Sequence, residues 1–309
     1  MKSSGFGIII AAMTDRTKGN IALLMTAMLW GTGFIAQKLG NEVMPPMTFN
    51  AVRQLMAAVV LCPVLAVNLR KNHYLSRDYN SVSQLDYKKR KMLLAGLVCG
   101  FFLMVGTATQ QMGLVTVSAG KSGFISSVYI VFVPLFSTVL GVRVRPKSIV
   151  CIALAMVGFA IMSLKGGLGG ATAGDWLTLA SAAGFAAQIV SVNYFVDKDN
   201  DILISVLQML SCGIMGLIIS LFMEDPTLAQ VWQCMPILLY STFIPTAMGY
   251  TLQIVGQKYT DSSTAALIMS LEAVFAAVFG ALFLSEMMSL RELAGSAIIF
   301  AATIIGQKE

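Results

Sequence analysis

Residues 147–196 read KSIVCIALAMVGFAIMSLKGGLGGATAGDWLTLASAAGFAAQIVSVNYFV and set the architecture. The segment holds two apolar runs, 147–165 and 175–196. Each is about the length of the ~20-residue helix that crosses a hydrocarbon core. Between them, Gly166-Gly167-Leu168-Gly169-Gly170 reads as a flexible linker near the middle of the 309-residue chain. Moving away from it, similar runs recur at 19–38, 48–67, 92–113 and 119–140 on one side. On the other they recur at 202–222, 236–256, 263–284 and 289–307. The expected fold is an all-α integral membrane protein with ten transmembrane helices, five on each side of the linker.

The composition agrees. Residues of the set AVILMFWYC make up 57% of the chain, mean hydropathy is +0.78, and only 12% of residues are charged. Soluble domains carry ~25% charged residues, so a water-facing globular protein is excluded. The longest polar stretch, 68–91, has 24 residues and is too short for a separate domain. Chemistry therefore belongs inside the membrane portion. The net charge of +6 does not describe a nucleic-acid surface, because the basic residues cluster in short connectors. With the N-terminus inside, 16 Lys and Arg fall on inner segments, 4 on outer segments, and Arg53 within a span. This positive-inside asymmetry predicts cytoplasmic N- and C-termini in a cell (plasma or inner) membrane. The five cysteines have no metal or disulfide spacing, and His73 in the 68–91 loop is the one histidine, so no metal site or cofactor is expected. Gly5–Met13 resembles a signal peptide without a cleavage site, and Met13 is an alternative start.

The two halves are duplicates. An offset of 155 places Gly19-Asn20 on Gly174-Asp175 and Arg53-Gln54-Leu55 on Gln208-Met209-Leu210. After the long loop the offset becomes 143, and Gly106, Gln110, Phe132 and Phe136 fall on Gly249, Gln253, Phe275 and Phe279. Five crossings per copy force the second copy upside down, which gives inverted repeats of the transporter type. The expected organisation is a cytoplasmic tail 1–18, a first repeat 19–165 with its basic cytoplasmic loop 68–91, an outer linker 166–174 and a second repeat 175–309.

Polar residues at bilayer depth are costly and usually face a bundle interior or a wet cavity. Glu272 lies about 13 Å into the ninth span at the helical rise. It reads as a coupling or cation-pairing group, against a structural reading as a protonated hydrogen-bonding acid. Arg53 in span two could bind an anion, snorkel, or pair with Glu286 or Glu292, and a structural ion pair is the favoured reading. Thr107 and Gln110 in span three share a helical face, as do Tyr250 and Gln253 in span eight. Cavity lining and interhelical hydrogen bonding are equally balanced for these four. Trp30, Phe34 and Gln37 recur along span one, Gln188 sits in span six, and Tyr129 with Ser126 and Ser122 lines one face of span four. Lys121 stands near the outer mouth of span four as a gate or, the favoured reading, an interfacial anchor. Gly120-Lys121-Ser122 ends like a phosphate-binding loop, but Val115 occupies the position of the required glycine. Gly158, Ala155, Gly295 and Ala302 would permit close packing of spans five and ten, within one chain or in a homodimer.

With these pieces in hand the chain resembles the drug/metabolite transporter superfamily, in its EamA-like ten-helix branch. The resemblance runs through Leu29-Trp30-Gly31-Thr32-Gly33-Phe34, Arg53, Gln111-Met112-Gly113-Leu114, Ala119-Gly120-Lys121-Ser122-Gly123-Phe124-Ile125 and Val133-Pro134. It ends with Ser270-Leu271-Glu272-Ala273 and Leu284-Ser285-Glu286. It implies a secondary carrier that exports a small metabolite, amino acid or drug by alternating access, with a cavity built mainly from spans 1, 3, 4, 6, 8 and 9. A proton or a counter-substrate would drive it, since the chain carries no nucleotide-binding domain. Two departures stand out. Gly141-Val142-Arg143 replaces a glycine–glutamate element, which implies unequal outer and inner closure. Ala273 replaces a frequent proline, which implies a straighter ninth span. A membrane enzyme is a poor reading, because paired carboxylates, a zinc-type His run and a nucleophile with a base are all missing. A channel or a receptor or scaffold protein is the alternative class.

Overall fold

The computed structural model describes residues 14–71, 82–141, 146–163, 171–197 and 201–307. Every regular element among them is helical: α1 (Asp15–Asn41), α2 (Pro46–Lys71), α3 (Val82–Gly113), α4 (Ala119–Ser126), α5 (Tyr129–Ser137), α6 (Pro146–Ser163), α7 (Ala173–Phe195), α8 (Asp201–Met223), α9 (Leu228–Gln233), α10 (Met235–Ser241), α11 (Gly249–Gln257), α12 (Ser262–Met269), α13 (Glu272–Leu284) and α14 (Leu290–Gln307). Seven segments of the described residues are long and apolar enough to cross a membrane. They are Asp15–Asn41, Pro46–Arg70, Lys88–Gly113, Ala119–Leu140, Ala173–Phe195, Asp201–Met223 and Ser262–Leu284. The other three expected spans are helical but fall short: α6 contributes the apolar stretch Ile149–Met162, α10 and α11 are joined by a π-helical turn, and α14 opens with Arg291 and Glu292. Residues 1–13, which hold the signal-like stretch, and 72–81, which hold His73, lie outside the described residues. The 68–91 loop is shorter than expected, since α2 runs to Lys71 and α3 starts at Val82.

Helix starts follow local chemistry. The hydroxyls of Thr14, Ser118, Thr172 and Thr227 and the carboxylate of Asp261 accept backbone N–H groups of the first turns. Those N–H groups have no partner within their own helix. Glycines then let backbones touch. A Cβ on Gly184 would meet the backbone N of Gly106 at 2.5 Å, which locks α7 onto α3. A Cβ on Gly158 would lie 2.8 Å from the Gly295 carbonyl, and Ala155 and Ala302 are buried with them, so the small residues of spans five and ten serve the α6–α14 contact within this chain.

Spans four and nine are each interrupted near the middle. α4 gives way to α5 at Ser127–Val128, and α12 to α13 at Ser270–Leu271. At each break the serine hydroxyl donates to the carbonyl three residues back, Ser127 to Phe124 and Ser270 to Leu267, both at 2.7 Å. Such back-bonding competes with the helical ladder and bends it. The ninth span, expected to be straighter with Ala273 in place of a proline, is thus interrupted immediately before Glu272 all the same. The halves also match in their rings. Phe132 stacks on Phe136 at 6.3 Å and 21°, and Phe275 on Phe279 at 6.2 Å and 18°.

Candidate functional site

The breaks in spans four and nine deliver Tyr129 and Glu272, the first residues of α5 and α13, to one cavity. The cavity encloses about 460 Å³ of space not filled by protein atoms, its mouth included. Nine of the residues singled out from the sequence line it: Trp30, Phe34, Gln37, Arg53, Gln110, Tyr129, Gln188, Tyr250 and Glu272. Span two thus contributes through Arg53, which the family resemblance did not anticipate. Thr107 and Gln253 stand one layer behind the wall, each bonded to a neighbour that orders it.

On the first-half side, Arg53 is 3% exposed. Its Nε and Nη2 donate to Asn50 Oδ1 at 3.3 and 2.9 Å, and Nη2 also reaches Gln37 Oε1 at 3.4 Å. Asn50 Nδ2 donates to Thr107 Oγ1 at 3.0 Å, and that hydroxyl donates to the Leu103 carbonyl. No carboxylate of the described residues comes within ion-pair distance of Arg53. The favoured structural ion pair is overturned, because Glu286 is engaged by Lys38 at 3.3 Å and Glu292 folds back on Ser289. Gln110 Nε2 donates to Ser126 Oγ at 2.9 Å.

The second-half side carries amides and one acid. Gln188 Nε2 donates to Gln208 Oε1 at 3.0 Å, and Gln253 Nε2 donates to Gln188 Oε1 at 2.9 Å. Glu272 is 4% exposed and has no cation within ion-pair distance among the described residues. The buried Tyr129 hydroxyl lies beside the Glu272 carboxyl but forms no hydrogen bond of standard geometry.

Two aromatic plates frame the wall. The Trp30 ring lies against Gly249, where a Cβ would be 2.7 Å from Nε1, and the Phe185 ring against Gly106, where it would be 2.8 Å from Cδ1. Trp30 also meets Tyr250, with ring centroids 4.9 Å apart. Its indole N–H donates to the Pro245 carbonyl at 3.1 Å, within a π-helical turn spanning Thr242–Met248. The matching part of α3 is regular helix.

Polar contacts close the bundle beyond the cavity on both sides. At one end Lys38 donates to the Val117 carbonyl and pairs with Glu286, whose Oε2 accepts the Ala119 N–H at 2.7 Å. Lys121 pairs there with Asp175 at 2.7 Å, and the Asp175 side chain is fully buried. Lys121 is thus half of a largely buried pair joining spans four and six. At the other end Lys258 pairs with Asp201 at 2.8 Å, and Asn193 Nδ2 donates to the Gln257 and Thr260 carbonyls. Arg143, at the site of the replaced glutamate, lies outside the described residues.

Asn50, Gln208, Phe185, Ile189, Gly33 and Pro245 belong to the site and were not singled out from the sequence. The 155 offset carries a signal for two of them, since Phe185 falls on Trp30 and Gln208 on Arg53.

The sequence pattern of the EamA-like transporter family matches the chain twice, over residues 17–164 and 172–305. The chain belongs to that family. It is thus a drug/metabolite-superfamily transporter and not an enzyme, a multi-pass membrane protein that handles a small molecule in a lipid bilayer. Relatives agree in kind. An uncharacterized transporter of Archaeoglobus fulgidus is 29% identical over 293 residues, covering 94% of this chain and 86% of its own length. The uncharacterized inner membrane transporter YedA of Escherichia coli K12 is 29% identical over 171 residues, about half of each chain. A solved crystal structure superposes with a TM-score of 0.66 over 94% of this chain and 98% of its own. At 15% identity that likeness concerns the fold alone. For this EamA-like transporter the double match means that each half carries the family pattern by itself.

Proposed function

We propose that the protein is a secondary-active exporter working by alternating access, built as two five-helix halves of opposite orientation with both termini cytoplasmic. The observation that carries this reading is the cavity itself. It lies about midway along the helices, takes residues from both halves, and is bounded at each end by contacts that tie different spans together. Lys38 and Asn193, equivalent under the 155 offset, each donate to a carbonyl, Val117 or Thr260, equivalent under the 143 offset. Two closures of one design at opposite ends are what a carrier needs to open one side while sealing the other. The sixteen-to-four distribution of basic residues supports the orientation and a cell-membrane location.

Glu272 is the coupling candidate: a single buried acid on the cavity wall without a cation partner would exchange a proton or hold a substrate cation during the cycle. A thermal-shift screen on purified protein would find the ligand, since binding to the folded state raises stability. Reconstituted liposomes should then show saturable uptake that depends on a pH gradient or counter-substrate. Glu272→Gln should abolish the pH-gradient dependence, and an unchanged dependence would count against coupling at this residue. Non-saturating flux would favour a channel instead.

A further inference from the structure

We infer that Arg53 is an anion site, and that the transported molecule presents one carboxylate on a flat apolar body. The inference deepens the proposed function and rests on the cavity being the transport site. A guanidinium stays charged and offers five donors in a fixed fork. Here the Nε and Nη2 donors are held by neutral oxygens of Asn50 and Gln37, while Nη1 has no partner among the described residues and Arg53 borders the cavity. Asn50 is itself oriented, because its amide nitrogen is committed to Thr107, which leaves its oxygen turned to the guanidinium. A buried charge whose hydrogen-bonding neighbours are all neutral is costly until a counter-charge arrives. A fixed fork with a free arm suits a carboxylate oxygen.

The charge balance limits the anion to one unit. The position equivalent to Arg53 is Gln208, so the second half adds no cation, and the acid Glu272 borders the same space. A dianion would meet one positive group and a nearby acid; a monoanion is matched while Glu272 holds its proton. Four rings, Trp30, Phe34, Phe185 and Tyr250, supply much of the remaining wall, beside the amides of Gln110 and Gln188. With its N–H bound to Pro245, Trp30 has only its apolar ring surface left to offer. Flat apolar groups pack against such rings by offset or edge contacts.

The test is calorimetric binding to purified full-length protein of benzoate, phenylacetate and indole-3-acetate, each compared with its primary amide. At least one acid should bind tenfold or more tightly than its amide. Gln37→Glu, nearly isosteric, would supply Arg53 with an internal carboxylate and should erase that preference, as should Arg53→Gln. The wild-type comparison of acid and amide needs no variant, so a folding defect in Arg53→Gln does not shield the idea. Equal binding of acids and amides, a preference surviving in folded Gln37→Glu, or no binding by any of the six overturns it. Acid binding without saturable uptake into liposomes would instead overturn the transport reading and leave the anion site standing.

Discussion

Arg53 and Gln208 occupy equivalent positions in the two halves, yet they sit in different chemistry. Arg53 is tied to Asn50 and Gln37 and carries a charge; Gln208 joins Gln188 and Gln253 in a neutral chain of amides. Tyr129 and Glu272 differ in the same way at the two helix breaks. Around them the frame is unchanged: serine-bonded bends, phenylalanine stacks of matching geometry, and an aromatic ring on a glycine in each half. The halves thus agree where helices pack and differ where a solute would be touched. Packing tolerates little change in a close-packed bundle, whereas a wet cavity can exchange polar groups of similar size.

The largest effects should follow from attacks on the shared frame. Gly184→Leu would push a side chain into the Gly106 backbone, which cannot retreat, and should cost at least ~4 kcal/mol. Loss of monodisperse protein in detergent is the expected outcome. Gly249→Ala and Gly106→Ala face side chains instead, Trp30 and Phe185, and each should cost about 1–3 kcal/mol by overpacking. Similar drops in Tm for the two would support equivalence of the halves, and a difference of several kcal/mol would end it.

Next come the end closures. Asp175→Asn removes the partner of Lys121 at a fully buried site and should cost about 3 kcal/mol. Asp201→Asn at the opposite end, where both side chains keep some contact with solvent, should cost nearer 1 kcal/mol. Thermal denaturation of the two variants in one detergent checks the order, and a reversed order would show that the Lys258 closure is the stronger. Smallest is the pair Phe132→Leu and Phe275→Leu. Each loses one ring contact worth about 1 kcal/mol, and the two should agree within ~0.5 kcal/mol.

Much of the cavity was legible because a polar residue inside an apolar run stands out. Glu272, Arg53, Gln110, Gln188 and Tyr129 all drew attention for that reason, and all border the cavity. Asn50 did not, since it follows Thr48 near the start of span two and reads as the tail of a connector. Phe185 and Ile189 are apolar residues in an apolar helix and offer no contrast. The pairing of Lys121 with Asp175 joins residues 54 positions apart in different halves, and no local pattern announces it. The two helix breaks were also hidden, because neither contains glycine or proline and serine is common in membrane helices. Seven spans are long and apolar enough by themselves, while three expected ones are shorter, irregular or charged at one end.

The π-helical turn at Thr242–Met248 sets the register of span eight. A π turn accommodates one more residue than the α-helix it interrupts. Were the same seven residues forced into a regular α-helix, the extra residue would swing everything beyond it about 100° around the axis. Tyr250 would then leave the cavity wall, and Gln253 would lose Gln188. Loss of the π turn at unchanged length would re-index the binding surface without changing a single side chain on it.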